Sequence, residues 1–140
     1  MTFVVDASVA VKWLFPEPHA EAASRLLKPG RKLLAPDILW AEVASATCKK
    51  VRRDEISPDQ AAEMLRDFRL LPIRTYPAKT LIQTAWRVAL EAGISVYDGL
   101  YLSLAYSQDS PLVTADRKFY DKIFDAYPQS ETLWIEDFKA

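Results

Sequence analysis

The sequence predicts an α/β protein, a three-layer α/β/α sandwich around a central, mainly parallel five-stranded sheet. Three observations lead there. Short β-branched and aliphatic runs alternate with segments of helical periodicity, the pattern of a parallel sheet covered by helices on both faces. Capping residues, prolines and glycines punctuate that alternation. Half of the 140 residues are hydrophobic and 26% are charged, enough for the core of one domain over residues 1–140.

Phe3-Val4-Val5 reads as a buried strand that Asp6 closes. Ser8 is placed to cap a helix over Val9–Phe15, which Pro16 ends, and a short helix over Ala20–Leu27 stops at Pro29-Gly30. Leu33-Leu34-Ala35 is a second strand, and Pro36-Asp37 leads into a long helix from Ile38 to Arg53. Ser57-Pro58-Asp59-Gln60 combines an N-cap, a proline at the first helical position and the glutamine of a capping box. Leu71–Thr75 is the third strand. Leu81, Ala85, Val88 and Ala89 repeat at helical spacing before the stop at Gly93. Ser95 caps the next helix, Leu112-Val113-Thr114 is the fourth strand, and Lys118–Asp125 is a short helix. Thr132–Ile135 is the fifth strand.

Composition excludes several chemistries. His19 is the only histidine and Cys48 the only cysteine, so zinc sites rich in those residues cannot be assembled and no intrachain disulfide is possible. Gly30, Gly93 and Gly99 are the only glycines and none are close together, which excludes a Walker loop and a dinucleotide fingerprint. MTFVVDASVAVKWLF lacks a basic leading segment and carries Asp6 and Lys12 within its apolar run. It is a poor signal peptide, no run approaches membrane-spanning length, and the expected location is the cytoplasm. The net charge is −1. If acids are drawn into one pocket, a weakly basic remainder can still meet a phosphate backbone.

Four acids stand in unusual settings. Asp6 ends the first strand and Asp116 follows the fourth, so both lie at the carboxyl edge where open parallel sheets bind ligands. Glu42 is the only charge in ILWAEVASATC, a helix that reads as mostly buried. Asp98 stands among the apolar residues of VYDGLYLSLA. Carboxylates crowded together repel, and a divalent cation reverses that cost. Oxygen ligands without histidine or cysteine select Mg²⁺ or Mn²⁺, and such a site suits phosphodiester hydrolysis. A plainer reading competes at each position. Asp6 and Asp116 are also placed to cap helices, Glu42 to face solvent, and Ser95-x-x-Asp98 matches a capping box.

At these residues the sequence resembles the PIN-domain ribonucleases, and among them the VapC toxins of toxin–antitoxin pairs. The matching stretches are VVDASVAVKWL, ILWAEVASA, SVYDGLYLSLA and LVTADRKF, in that order. The resemblance implies an α/β/α sandwich, typically a homodimer, that cleaves RNA endonucleolytically and is blocked by a cognate VapB-like antitoxin. It implies Mg²⁺ or Mn²⁺ held by Asp6, Glu42, Asp98 and Asp116. Thr114 would orient a water or metal ligand, and Ser8 matches a small polar residue after the first acid. Gly99 stands where many relatives have alanine. A PIN-like module that binds RNA or protein without cutting is the alternative, and loss of acids would mark it. A receiver domain or a haloacid-dehalogenase-like phosphatase fits less well, because Arg74-Thr75-Tyr76 and Ser8 stand where each wants an acid.

The remaining features divide between structure and function. Lys49, Lys50, Arg52 and Arg53 sit where they favour a helix C-terminus, or where they would rim a phosphate site. Arg117 and Lys118 follow Asp116 directly, within reach of substrate phosphates or on a solvated surface. Trp13, Leu14 and Phe15 are read as core, with a partner groove as the other possibility. Trp40 and Trp86 are read as core, Cys48 as a small buried residue, and His19 as a surface residue.

Overall fold

The strands are β1 (Thr2–Val5), β2 (Lys32–Pro36), β3 (Ile73–Tyr76), β4 (Leu112–Thr114) and β5 (Leu133–Trp134). They form one sheet in the order β3-β2-β1-β4-β5, and every pairing is parallel. The expectation of a mainly parallel sheet is therefore met in full. The structure is a computed structural model and describes residues 1–138. Among the described residues seven α-helices connect and cover the strands: α1 (Ala7–Ala10), α2 (Ala20–Ser24), α3 (Leu39–Arg52), α4 (Pro58–Phe68), α5 (Ala78–Ala92), α6 (Val96–Ser107) and α7 (Arg117–Ala126).

The chain crosses from β1 to β2 on one side and reaches β4 on the other, so the strand order reverses between β1 and β4. Val4 pairs with Leu112 and Val5 with Val113. Val4, Val5 and Val113 are fully buried, with β-branched side chains suited to a strand covered on both faces. Asp6 is the next residue out of this pairing, at the crevice where such sheets take ligands.

Helix starts follow the capping chemistry. Ser57 and Gln60 close a reciprocal capping box on α4, at 3.1 and 2.8 Å. Ser95 accepts from the Asp98 amide at 3.0 Å, but Asp98 returns no bond to the Ser95 backbone, so that box is half made. The first helix differs from expectation. It begins at Ala7, straight after Asp6, and tightens into a 3-10 turn over Val11–Trp13. The strand-to-helix turn is too tight for Ser8 to be the cap, and its hydroxyl bonds elsewhere. Helix α7 starts at Arg117, with Asp116 as its cap through Phe119 N at 3.1 Å.

Three burial expectations are corrected. Helix α3 buries only the stripe Leu39, Val43 and Thr47. Ala41, Ser45 and Cys48 face solvent, because small side chains leave little apolar area to hide. Trp86 is 56% exposed on the outer face of α5, since Leu81, Ala85 and Ala89 supply the inner face. Trp40 does pack inward, against Phe68 at 5.2 Å between ring centroids. Phe15 is buried, and Trp13 and Leu14 lie half-buried against the core. At Gly99 a Cβ would lie 2.6 Å from the Ala85 carbonyl oxygen, so this glycine lets α5 and α6 approach at backbone contact.

Candidate active site

Asp6 is fixed by two hydroxyls, one from Ser8 at the start of α1 and one from Thr114 on the neighbouring strand. Its Oδ2 accepts from Ser8 Oγ at 2.6 Å and from Thr114 Oγ1 at 2.9 Å. Ser8 Oγ accepts in turn from the Ala115 amide at 2.9 Å, and Thr114 Oγ1 accepts from the Asp116 amide at 3.1 Å. Asp6 takes the N-cap position of α1 without any side-chain bond to a helix amide. Capping is therefore not the reason for this carboxylate. It is 5% exposed, and burial pushes its pKa up to about 7. The Ser8 and Thr114 hydroxyls pull it down, while the charges of Asp98 and Glu42 push it further up.

Asp98 lies half-buried in the first turn of α6. Burial comes first, then the charges of Asp116 and Glu42, in raising its pKa to about 6. Ser95 and Lys122 act in the opposite direction. Asp98 and Asp116 line the same cleft, of about 170 Å³, with Lys118 and Lys122 on its wall. Asp116 is exposed, and its Oδ1 is committed to the Phe119 amide. At this position the capping expectation is met, by one oxygen of the carboxylate.

Glu42 reaches the group through a tyrosine of the apolar stretch VYDGLYLSLA. Tyr101 is fully buried on α6, one turn beyond Asp98, and its hydroxyl donates to Glu42 Oε1 at 2.7 Å. Burial raises the Glu42 pKa, and this bond lowers it. The charges of Glu42, Asp6 and Asp98, after burial, push the Tyr101 phenol well above its ordinary value. A signal was available: a buried tyrosine needs a partner for its hydroxyl, and Tyr101 shares a helix face with Asp98.

The four predicted acids thus form one electrostatic group, and Thr114 is bonded into it. Among the described residues no ion pair involves any of the four acids. An all-oxygen, multiply charged set that makes no ion pair among the described residues matches a hard divalent ion in its chemistry. No three His, Cys, Asp or Glu side chains among the described residues converge as a ready-made single-ion site. The fit lies in donor type and charge, with Asp6 held in a fixed position and Asp98 and Asp116 at the open side. A larger cavity of about 1070 Å³ lies at the other end of β4, by Pro111 and Leu112, and contains none of these acids. Among the described residues no helix is long and apolar enough to cross a membrane.

Comparisons with known proteins bear on the family and the fold. The family model of the PIN domain matches residues 3–124. The chain is 32% identical over 126 residues to Ribonuclease VapC3 of Pyrobaculum aerophilum, covering 87% of this chain and 95% of that protein. Among solved structures, PAE2754 from Pyrobaculum aerophilum aligns with a TM-score of 0.71 at 22% identity, over 97% of this chain and 85% of that one. A toxin–antitoxin complex from Klebsiella pneumoniae aligns with a TM-score of 0.66 at 15% identity, over 96% of this chain and 98% of that one.

Proposed function

The chain belongs to the PIN-domain family, and within it to the VapC ribonucleases; from that premise we propose that it is the toxin of a toxin–antitoxin pair, an endoribonuclease acting at the site of Asp6, Glu42, Asp98 and Asp116. The observation that carries this reading is the gathering of these acids around a buried Asp6 at the β1/β4 switch point: after burial, the charges of Asp98 and Glu42 raise Asp6, and those of Asp116 and Glu42 raise Asp98.

Asp6, Glu42, Asp98 and Asp116 would hold the cation, Mg²⁺ or Mn²⁺ by the hardness of the donors. When bound, a divalent cation supplies charge stabilisation at phosphorus and an acidified water. The protein residues do the positioning. Ser8 and Thr114 commit Asp6 Oδ2, which fixes the carboxylate and leaves Oδ1 available. Tyr101 holds Glu42 Oε1 and so orients its second oxygen. Asp6 is buried whereas Asp98 is half-buried and Asp116 exposed, so RNA approaches from the side of α6 and α7. With a pKa about 7, the Asp6 carboxyl carries a proton part of the time near neutrality. Holding a cation there would require that carboxyl in its ionised form.

Neutralisation by a cognate VapB-like antitoxin, action in the cytoplasm and a homodimeric state complete the reading. The shared fold with a solved toxin–antitoxin complex supports the first of these. The test is cleavage of RNA by purified protein with Mg²⁺ or Mn²⁺, with and without chelator, alongside Asp6→Asn and Asp98→Asn. Cleavage is expected only for wild type with the metal. Equal cleavage by all three proteins would refute the site, and no cleavage by any would favour a binding module.

A further inference from the structure

The edge of the site beyond β4 carries a stacked cation. Arg117 is the first residue of α7 and follows Asp116 directly. Its guanidinium carbon lies 4.7 Å from the ring centroid of Trp134 and 5.3 Å from that of Tyr120. Trp134, on β5, pairs in register with Thr114, whose hydroxyl bonds Asp6. The platform therefore stands one strand spacing, about 5 Å, from the strand that holds Asp6 in place, at the same sheet edge. Trp134 is itself braced. Tyr120 meets it edge-on at 6.1 Å and His19 at 5.6 Å, and His19 is hydrogen-bonded to Glu136.

This arginine is not needed as a staple. Phe119 and Ile123 anchor α7 in the core, whereas Arg117 is exposed. Among the described residues no carboxylate lies within ion-pair distance of it. Stacking restricts the side chain before any ligand arrives and leaves the N–H fork at its rim unpaired. The guanidinium covers the aromatic faces, so what this surface offers is hydrogen-bond donors rather than a base-stacking platform. Forked donors on a fixed cation match phosphate oxygens.

We infer that Arg117, held on Trp134 and Tyr120, binds an RNA backbone phosphate next to the one that is cleaved; the inference rests on the ribonuclease reading. Arg117 acts here as a binding residue, and the two aromatic rings as its positioning residues.

The experiment is binding of a fluorescein-labelled single-stranded RNA of mixed sequence, followed by anisotropy through a KCl series in chelator, where nothing is cut. Arg117→Gln is expected to weaken binding about tenfold at low salt, and to reduce the slope of log affinity against log salt by about 0.7, the value for one phosphate contact on a single strand. Arg117→Lys keeps the charge but loses the stacked fork, so its slope stays near wild type while affinity falls a few-fold. Arg31→Gln is the matched control. Arg31 stacks on Phe138 at 5.2 Å just before β2, at the opposite sheet edge, and its loss should leave the slope unchanged. Thermal melting of the Arg117 variants should match wild type. An unchanged slope in Arg117→Gln, with wild type binding RNA normally, overturns this inference alone. Failure of wild type both to bind RNA here and to cut it with Mg²⁺ or Mn²⁺ overturns the ribonuclease reading and the inference with it.

Discussion

Replacing Asp6 with asparagine separates the demands of function from those of folding. The native carboxyl has a pKa about 7 against an ordinary 3.8. At about 1.4 kcal/mol per pH unit, holding the charged form in the fold costs up to about 4 kcal/mol above pH 7. The direction follows from proton counting. Between pH 3.8 and about 7 the folded state binds more protons at this site than the unfolded chain does. Stability therefore falls as pH rises through that window and levels off above it. Asparagine removes the charge but keeps a carbonyl oxygen that still accepts from Ser8 and Thr114. Its new amide N–H₂ must find partners, which returns about 1 to 3 kcal/mol. In chelator, the variant should trail wild type by about 1 to 3 kcal/mol near pH 4 and exceed it by about 1 to 3 kcal/mol above pH 7. Denaturant titration at a series of pH values measures this. Adding Mg²⁺ or Mn²⁺ should raise the stability of wild type and leave the variant nearly unchanged. A stability difference that does not vary with pH would refute the argument, because the native carboxylate would then not be a desolvated charge.

Three further substitutions test the surroundings. Tyr101→Phe removes the bond to Glu42 Oε1 and leaves a half-buried acceptor poorly satisfied, so unfolding should become easier by about 1 to 3 kcal/mol; cleavage should require more Mg²⁺ or Mn²⁺, and an unchanged metal titration would contradict the orienting role. Gly99→Ala drives a Cβ to 2.6 Å from the Ala85 oxygen, which should lower stability by about 1 to 3 kcal/mol by forcing α5 and α6 apart. Because Asp98 precedes Gly99, cleavage should fall with it, and a melting curve identical to wild type would show that the helices adjust freely. Ser57→Ala breaks the α4 capping box far from the acids. It should cost about 1 kcal/mol in denaturant titration with the specific activity of the folded protein intact.

Much of this molecule was legible because its signals are local. The Ser57–Gln60 box, the Ser95 cap and the Gly93 stop act within one helical turn, and each is made as read. Strand alternation with helices implied the layers, and the acids with their motifs pointed to one sheet edge. Misreadings fell where burial is decided by distant packing. ILWAEVASATC looks apolar all round, yet its alanines, serine and cysteine carry too little area to demand cover. Trp86 looks like core by size, but small alanines fill the inner face of α5 and leave the ring outside. Ser8 looked like a cap until the turn brought Asp6 and Thr114 within its reach.

By itself the sequence determined which groups exist and their local conformation: four carboxylates, no metal-binding histidine cluster, strand ends and helix starts that carry the acids. Tertiary structure alone decided that β1 and β4 are neighbours, and so that Asp6 meets Thr114 across 108 positions of chain. It also decided that Tyr101 reaches Glu42, and that Arg117 finds Trp134 on the adjacent strand. The physical reason is range. Caps and periodicity act through bonds between near neighbours in sequence, whereas desolvation and charge coupling depend on what the folded chain brings within a few ångströms.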